Sequence, residues 1–125
     1  MAGRIEEKVY DEQSFKMHVL RNRKVLSFPI ETESTVLGFP DVMVVHEDGK
    51  VTFEEYKYSK TGKIKFQPTQ PAFYKKYGGL LHIEVVAFNA KSGRIHVFSV
   101  RELFNEASPY HMDENATVDL RRAEK

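Results

Sequence analysis

The dipeptide Asp48-Gly49 constrains the fold of this chain more than any other short stretch of it. It lies in HEDGK, between the apolar run GFPDVMVV (residues 38–45) and the run VTFEEYKYS (residues 51–59), which is rich in β-branched and aromatic residues. An Asp-Gly pair favours the tight turn of a β-hairpin, because glycine readily adopts a positive φ. The two runs are therefore predicted to pair as antiparallel strands.

The predicted hairpin carries charged residues on a face that a sheet would normally bury. Side chains alternate between two faces along a strand, so Phe53, Glu55 and Lys57 project from one face of the second strand. Counting back from the turn brings Asp41, near the start of the first strand, opposite residue 55 or 56. We therefore expect two carboxylates and one ammonium to converge at the end of the hairpin that lies away from the turn.

This group of charges has the composition of a metal centre. Two adjacent carboxylates repel each other unless a proton or a cation lies between them, and Mg²⁺ is commonly held by one or two carboxylates, carbonyls and waters. Asp41 and Glu55 are the candidate carboxylate ligands, and the carbonyl of Tyr56 is a third candidate. Lys57 is placed to orient a water or to stabilise negative charge on a phosphate. The set predicts metal-dependent phosphodiester cleavage, although Glu-x-Lys alone is also compatible with a salt bridge on one strand face.

The remaining elements follow from periodicity and from helix and turn signals. They are, in chain order, a helix over residues 11–23, a strand over 24–32, the hairpin, a helix over 67–78, strands over 81–89 and 94–100, and a short helix over 101–107. This order, αβββαββ plus a short C-terminal helix, predicts an α/β fold with a mixed central β-sheet flanked by helices.

The length of 125 residues predicts one domain. Its core is expected over residues 11–107. The segment 108–125 has little apolar content and is expected to form a flexible or weakly docked tail.

Composition excludes several classes of site. The chain has no cysteine, which excludes disulfides, thiolate metal sites and cysteine nucleophiles, and its five histidines lack metal-ligand spacing. No apolar run is long enough to span a membrane and no secretory signal is recognisable. A cytoplasmic location is therefore expected, in the host cytoplasm if the chain is encoded by a virus.

Positive charge is concentrated in one part of a nearly neutral chain. The formal net charge is +1, yet residues 57–83 contain six lysines and no acidic residue. Such a segment either forms a solvated loop or presents a local field that attracts phosphates. The candidate DNA-binding residues of this segment are Lys60, Lys63, Lys65, Lys75 and Lys76.

The motif Pro40-Asp41 followed by Glu55-Tyr56-Lys57 resembles the PD-(D/E)XK nuclease superfamily, over about residues 11–104. The likeness is greatest to Holliday-junction-resolvase-like and VRR-NUC-type members, which are often virus-encoded. Their basic turn and glutamine-bearing helix are similar to KIKFQPTQPAF, and a glycine precedes their PD dipeptide much as it does here. The resemblance implies a restriction-endonuclease-like core, cleavage of DNA with Mg²⁺ or Mn²⁺, and a homodimer.

The resemblance also implies roles for individual residues. Asp41 and Glu55 would be metal ligands, and Lys57 would be the catalytic lysine. Gln70 would be an accessory polar group near the scissile phosphate, with Gln67 as the alternative amide.

Many members of the superfamily supply a further carboxylate from the first helix. Glu12 is the first candidate for this role, because it lies on what would otherwise be the apolar stripe of the helix. Glu6 and Glu7 are its rivals. An acid in the first turn is equally explained by the helix dipole.

The function expected from these features is that of a Mg²⁺-dependent, structure-selective endodeoxyribonuclease of the Holliday-junction-resolvase type. A general or nicking DNA nuclease of the same fold is one alternative. A non-catalytic DNA-binding module that retains the fold is another.

Overall fold

The computed structural model describes residues 8–23, 25–30 and 38–125, which contain both helices and strands. The elements are α1 (Glu12–Arg21), β1 (Leu26–Pro29), β2 (Val42–Val45), β3 (Val51–Ser59), β4 (Lys63–Lys65), α2 (Thr69–Tyr77), β5 (Ile83–Asn89), β6 (Arg94–Ser99), the 3₁₀ helix η1 (Val100–Phe104), β7 (Thr117–Asp119) and the 3₁₀ helix η2 (Leu120–Glu124). The predicted order of helices and strands is confirmed, with two short strands and a second 3₁₀ helix added.

Five strands form the central sheet in the order β1-β2-β3-β5-β6. The β3–β5 pair is parallel and the other pairs are antiparallel, so the sheet is mixed as predicted. Val85 and Val86 are neighbours on β5 and point to opposite faces, where they join two different clusters of buried side chains. Phe73 of α2 belongs to the cluster of Val85, and Phe15 of α1 belongs to that of Val86. The two helices therefore cover opposite faces of the sheet.

The Asp48-Gly49 turn forms as predicted. Gly49 has a φ of 85°, and its N–H donates a 2.9 Å hydrogen bond to the carbonyl of His46. The N–H of His46 donates to the carbonyl of Lys50 at 2.8 Å, which closes the hairpin. The resulting register pairs Val42 with Glu54 and brings the preceding residue, Asp41, opposite Glu55.

Strand β1 is shorter than the sequence predicts. It runs Leu26–Pro29 against β2, whereas residues 24, 31 and 32 of the predicted strand lie outside the described residues. Pro29 is the last residue of this edge strand, a position where the missing N–H removes no bond inside the sheet.

Helix α1 has a capping box at its start and α2 has prolines there. Asp11 accepts a 2.8 Å hydrogen bond from the N–H of Ser14, whose hydroxyl accepts one from the N–H of Asp11 at 3.1 Å. Pro71 lies in the first turn of α2, where a backbone N–H would have no acceptor within the helix, so this proline does not delay the helix start. The two helices have 10 and 9 residues, and no helix in the described part of the chain is long and apolar enough to cross a membrane.

The prediction of a flexible or weakly docked tail over residues 108–125 is wrong. Strand β7 pairs with β4, a strand that the sequence analysis treated as part of a lysine loop, and Ile64 lies opposite Val118. Val118 and Leu120 are both 0% exposed and join the core beside α2. A few apolar residues therefore dock this segment, because β4, far away in sequence, supplies a strand edge for it. The short helix predicted over 101–107 is the 3₁₀ helix η1.

Candidate active site

The end of the hairpin away from the turn brings Asp41 and Glu55 together. Strand β2 begins at Val42, so the backbone N–H of Tyr56 has no partner strand there, and it donates a 3.2 Å hydrogen bond to Oδ2 of Asp41 instead. The carboxyl groups of Asp41 and Glu55 lie opposite each other and within electrostatic range. Two facing carboxylates repel each other unless a proton or a cation lies between them.

Glu55 is the buried member of this pair. It is 4% exposed, and its Oε1 is buried with no hydrogen-bond partner among the described residues. Burial raises the pKa of Glu55 well above its usual range. The charge of Asp41 adds to this rise, Lys57 opposes it, and the charge of Glu12 raises it further. A buried acceptor with no partner is a position where a cation or a donor is expected to bind.

Lys57 extends from the same face of β3 and is held by α2. Its Nζ donates a 3.0 Å hydrogen bond to Oε1 of Gln70, and the same oxygen accepts a 2.8 Å bond from the backbone N–H of Gln67. The ammonium also lies 5.0 Å from the ring centroid of Phe66. Of the two candidate amides, Gln70 is therefore the one whose side chain contacts the lysine.

Gly38 brings the Pro40-Asp41 segment against the start of α2. It has a φ of +87°, and a Cβ at this position would lie 2.4 Å from the carbonyl oxygen of Thr69 and 2.9 Å from Cβ of Phe73. Only glycine allows this backbone approach. The contact places the hairpin end that carries Asp41 beside the helix that carries Gln70.

Glu12 lies near this group but does not complete a three-carboxylate site. Desolvation raises its pKa, with Lys57 acting against that rise and Asp41 adding to it, so its carboxylate is within electrostatic range of both. Its side chain is largely exposed to solvent. In residues 8–23, 25–30 and 38–125 no three His, Cys, Asp or Glu side chains are close enough to hold one ion. The rivals Glu6 and Glu7 lie outside the described residues.

The oxygen atoms of the site fit a hard divalent cation. Asp41 and Glu55 supply carboxylate oxygens, and one of these, Oε1 of Glu55, has no protein partner among the described residues. In an extended strand the N–H and C=O of one residue point to the same side. Because the N–H of Tyr56 points to Asp41, its carbonyl also points toward the strand that carries this acid. Two carboxylates and a carbonyl are a donor set that Mg²⁺ accepts, with waters and a substrate phosphate completing the shell.

The predicted DNA-binding lysines are exposed. Lys63 and Lys65 flank the buried Ile64 on β4 and project to the solvent side of the small β4–β7 sheet. Lys75 and Lys76 lie in the last turn of α2, and Lys60 follows β3. All five side chains are therefore accessible to a ligand.

Two features of this region were not found from the sequence. Tyr74 is 2% exposed, its hydroxyl has no hydrogen-bond partner within the described residues, and it lies within electrostatic range of Glu55 and Asp41. Burial raises its pKa far above the usual range, and those two carboxylates add to the rise, so the hydroxyl stays protonated. The spacing of four residues from Gln70, one helical turn, was the available signal.

The second feature is a buried ion pair on the opposite face of β3. Arg23 donates two hydrogen bonds to Glu54, at 2.6 and 2.8 Å, and the Tyr56 hydroxyl donates to the same carboxylate at 2.8 Å. Glu54 is 5% exposed. Arg23 is the last residue of the helix predicted over residues 11–23, and its partner lies 31 residues away in sequence. The contact fixes the segment after α1 against the strand that carries Glu55 and Lys57.

Comparisons with known proteins place the fold. No protein-family model matches the chain, and no curated protein is detectably similar to it in sequence. Among solved structures it is similar to Hjc, a Holliday junction resolvase from the archaeal hyperthermophile Archaeoglobus fulgidus, with 12% sequence identity and a TM-score of 0.58. The match covers 89% of this chain and 88% of that one. The chain therefore has a restriction-endonuclease-like α/β fold of the kind found in Hjc.

Proposed function

We propose that this protein is a divalent-metal-dependent nuclease that hydrolyses phosphodiester bonds in branched DNA, as a Holliday junction resolvase does. The observation that carries the proposal is the pair of facing carboxyl groups, the part-buried Asp41 and the buried Glu55, within electrostatic range of the ammonium of Lys57. Burying a carboxyl group next to a second acid is costly for a structural role alone. The fold shared with Hjc supports the choice of nuclease, although a fold by itself does not determine function.

Asp41, Glu55 and the carbonyl of Tyr56 would hold Mg²⁺ or Mn²⁺, and Glu12 would act on the ion from a greater distance. The bound cation supplies Lewis-acid polarisation of the phosphate and a lower pKa for a bound water. The raised pKa of Glu55 keeps this carboxyl group protonated to a higher pH than an ordinary glutamate, and the proton must be released before the cation binds, so affinity for the cation rises with pH.

The remaining residues of the site act on the phosphate and on the lysine. Lys57 presents a positive charge to the scissile phosphate, where negative charge grows in the transition state. Gln70 holds the lysine by accepting its 3.0 Å hydrogen bond, and the carbonyl oxygen of this amide is in turn fixed by the N–H of Gln67. A lysine held in one orientation before the reaction stabilises the transition state without an entropy cost at that moment.

Exposed lysines lie on β4 of the small sheet, in the last turn of α2 and directly after β3. We propose that they contact the phosphates of the DNA arms, and that they do so without reading base sequence. The lysines concerned are Lys60, Lys63, Lys65, Lys75 and Lys76. A homodimer would place two such sites on the two strands that a junction resolvase cuts, so we propose a homodimer as the active form.

Cleavage assays on defined DNA test the proposal. Four-way junctions, flaps, linear duplex and single strands are incubated with the protein in Mg²⁺, Ca²⁺ or a chelator. We expect Mg²⁺-dependent cleavage of the junction above all other substrates. Equal cleavage of all substrates would contradict the junction preference, and binding without cleavage in every metal would contradict the nuclease function.

Variants assign the cleavage to this site. Asp41→Ala and Lys57→Ala are expected to abolish cleavage, while Asp41→Ala retains or strengthens DNA binding because it removes a charge that repels phosphate. Glu47→Ala and Lys50→Ala, at exposed positions of the turn at the other end of the hairpin, are the matched controls. Turnover by Asp41→Ala or Lys57→Ala at a rate close to that of the controls would refute the assignment.

A further inference from the structure

The lysine of the site makes a second contact, with an aromatic ring. Nζ of Lys57 lies over the ring of Phe66, 5.0 Å from its centroid. A cation at this distance from a ring face is attracted by the ring quadrupole, and the attraction grows when water is excluded. Phe66 is 1% exposed, so its ring is shielded from solvent.

The ring of Phe66 is held from two sides. Tyr74 packs edge-to-face against it, with the ring centroids 5.9 Å apart. The backbone N–H of Phe66 donates a 2.9 Å hydrogen bond to the carbonyl of Ala116, in the turn that leads into β7. Ala116 has a φ of 58°, a conformation that few non-glycine residues adopt. The C-terminal segment therefore supports the backbone on which this ring is mounted.

We propose that Phe66 is a positioning residue for Lys57, and that the C-terminal segment around Ala116 and β7 holds it in place. The proposal rests on the proposed function, because it gives Phe66 a role in phosphodiester cleavage. A lysine side chain is a flexible four-carbon stem with three donors at its end. Gln70 fixes one of those donors, and the ring face of Phe66 restricts where the ammonium can lie. Two contacts from different directions hold the charge where the phosphate reacts.

Fluorination of the ring isolates this contact from packing. Replacing Phe66 by 4-fluoro- and then 3,4,5-trifluorophenylalanine weakens the quadrupole stepwise while nearly preserving the shape of the side chain. We expect the kcat for junction cleavage to fall stepwise, to about one third to one tenth of the wild-type value for the trifluoro form. The KM for DNA should remain unchanged, because the ring acts on the lysine and not on substrate binding.

The same substitutions at Phe98 provide the control. This residue belongs to the same buried cluster, stacks on Tyr110 at a centroid distance of 4.0 Å, and makes no ring contact with Lys57. Its fluorination is expected to leave kcat unchanged. A constant kcat across the Phe66 series in an active enzyme, or an equal fall in the Phe98 series, would overturn the inference.

A measurement without substrate separates this inference from the proposed function. In wild-type protein with labelled lysines, the ε-methylene protons of Lys57 should resonate upfield of those of Lys60, because they lie over the ring. In Phe66→Leu this upfield shift should disappear. Its absence from the wild type would overturn the inference even if the protein cleaves DNA. An upfield shift in a protein that cleaves no substrate would confirm the contact, while the proposed function and the catalytic role of Phe66 would both fail.

Discussion

Oδ2 of Asp41 accepts a 3.2 Å hydrogen bond from the backbone N–H of Tyr56, at the point where the β2–β3 ladder ends. This acid therefore has two functions that can be separated, one in completing the hairpin and one in carrying charge. An asparagine at this position keeps an acceptor oxygen and loses only the charge.

For Asp41→Asn we expect a free energy of unfolding within about 0.5 kcal/mol of the wild type, and cleavage reduced by about 10³-fold or more. Asp41→Ala should lose cleavage in the same way. It should also have a free energy of unfolding lower by about 1 kcal/mol, because the N–H of Tyr56 then has no acceptor. Urea unfolding and junction cleavage measure the two effects. Substantial cleavage by Asp41→Asn would show that the charge is not needed.

The bond between Lys57 and Gln70 gives a second prediction. Gln70→Ala removes the acceptor that holds the ammonium of Lys57. A hydrogen bond to a charged group contributes about 1.5–3 kcal/mol, so kcat should fall by about 10- to 100-fold. Gln67→Ala is the matched control, since Gln67 bonds to Gln70 through its backbone N–H and carbonyl, which the substitution keeps. Equal kcat values for the two variants in single-turnover cleavage would rule out this role.

Glu55 makes the stability of the metal-free protein depend on pH. Its pKa is raised by burial first and by Asp41 second, so the folded state binds the proton more tightly than the unfolded state. The free energy of unfolding should therefore decrease as pH rises above about 4.3, the ordinary glutamate value, until the folded-state pKa is passed.

Glu55→Gln should remove this dependence. In chelator at pH 8 we expect the variant to exceed the wild type by about 1–2 kcal/mol in urea unfolding, and at pH 5 to equal it within error. The exposed Glu47→Gln serves as control. Mg²⁺ should stabilise the wild type at pH 8 and not the variant. A wild type that is equally stable at both pH values would contradict the raised pKa of the buried Glu55.

The buried hydroxyl of Tyr74 predicts an unusual response to its removal. Because the hydroxyl has no partner among the described residues, Tyr74→Phe should keep the free energy of unfolding or raise it by up to about 1 kcal/mol. Tyr56→Phe, which removes a donor to Glu54, should instead lose about 1–2 kcal/mol. Calorimetry measures the free energy of unfolding of both variants. A loss above about 1.5 kcal/mol for Tyr74→Phe would show that this hydroxyl is hydrogen-bonded in the wild type.

The docked C-terminal segment predicts sensitivity to acid. Glu124 accepts hydrogen bonds from His96 at 2.6 Å, Ser92 at 2.9 Å and Asn89 at 3.1 Å. Burial acts to raise the pKa of Glu124, but these hydrogen bonds, that of His96 first, lower it below the usual range. A depressed pKa contributes stability above about pH 4.3, which is lost as pH falls through the folded-state value.

Glu124→Gln should therefore lose about 1–3 kcal/mol at pH 7 and show a weaker decline in stability below pH 4.3 than the wild type. Urea unfolding across this pH range measures the effect. Glu114→Gln, at an exposed position of the same segment, is the control. No difference between the two variants would mean that the segment is held by its apolar residues alone.

Features that depend on neighbours along the chain could be predicted from the sequence alone. The Asp48-Gly49 turn and the alternation of side chains on a strand were sufficient to place Asp41 opposite Glu55 and to put Lys57 on the same face. The predicted helices 11–23 and 67–78 begin and end, respectively, at Asp11, the N-cap of α1, and Gly78, the C-cap of α2. Each of these follows from backbone preferences or from a short-range period, so no knowledge of distant contacts was needed.

Contacts between elements that are distant in sequence could be read only from the folded structure. The Arg23–Glu54 pair, the choice of Gln70 over Gln67, the position of Phe66 under Lys57 and the pairing of β7 with β4 all join residues from different elements. Local patterns carry no information on these pairs, because packing of the whole chain sets their distances. The C-terminal segment has low apolar content, yet two buried side chains and the part-buried hydrogen bonds of Glu124 dock it once β4 provides a partner.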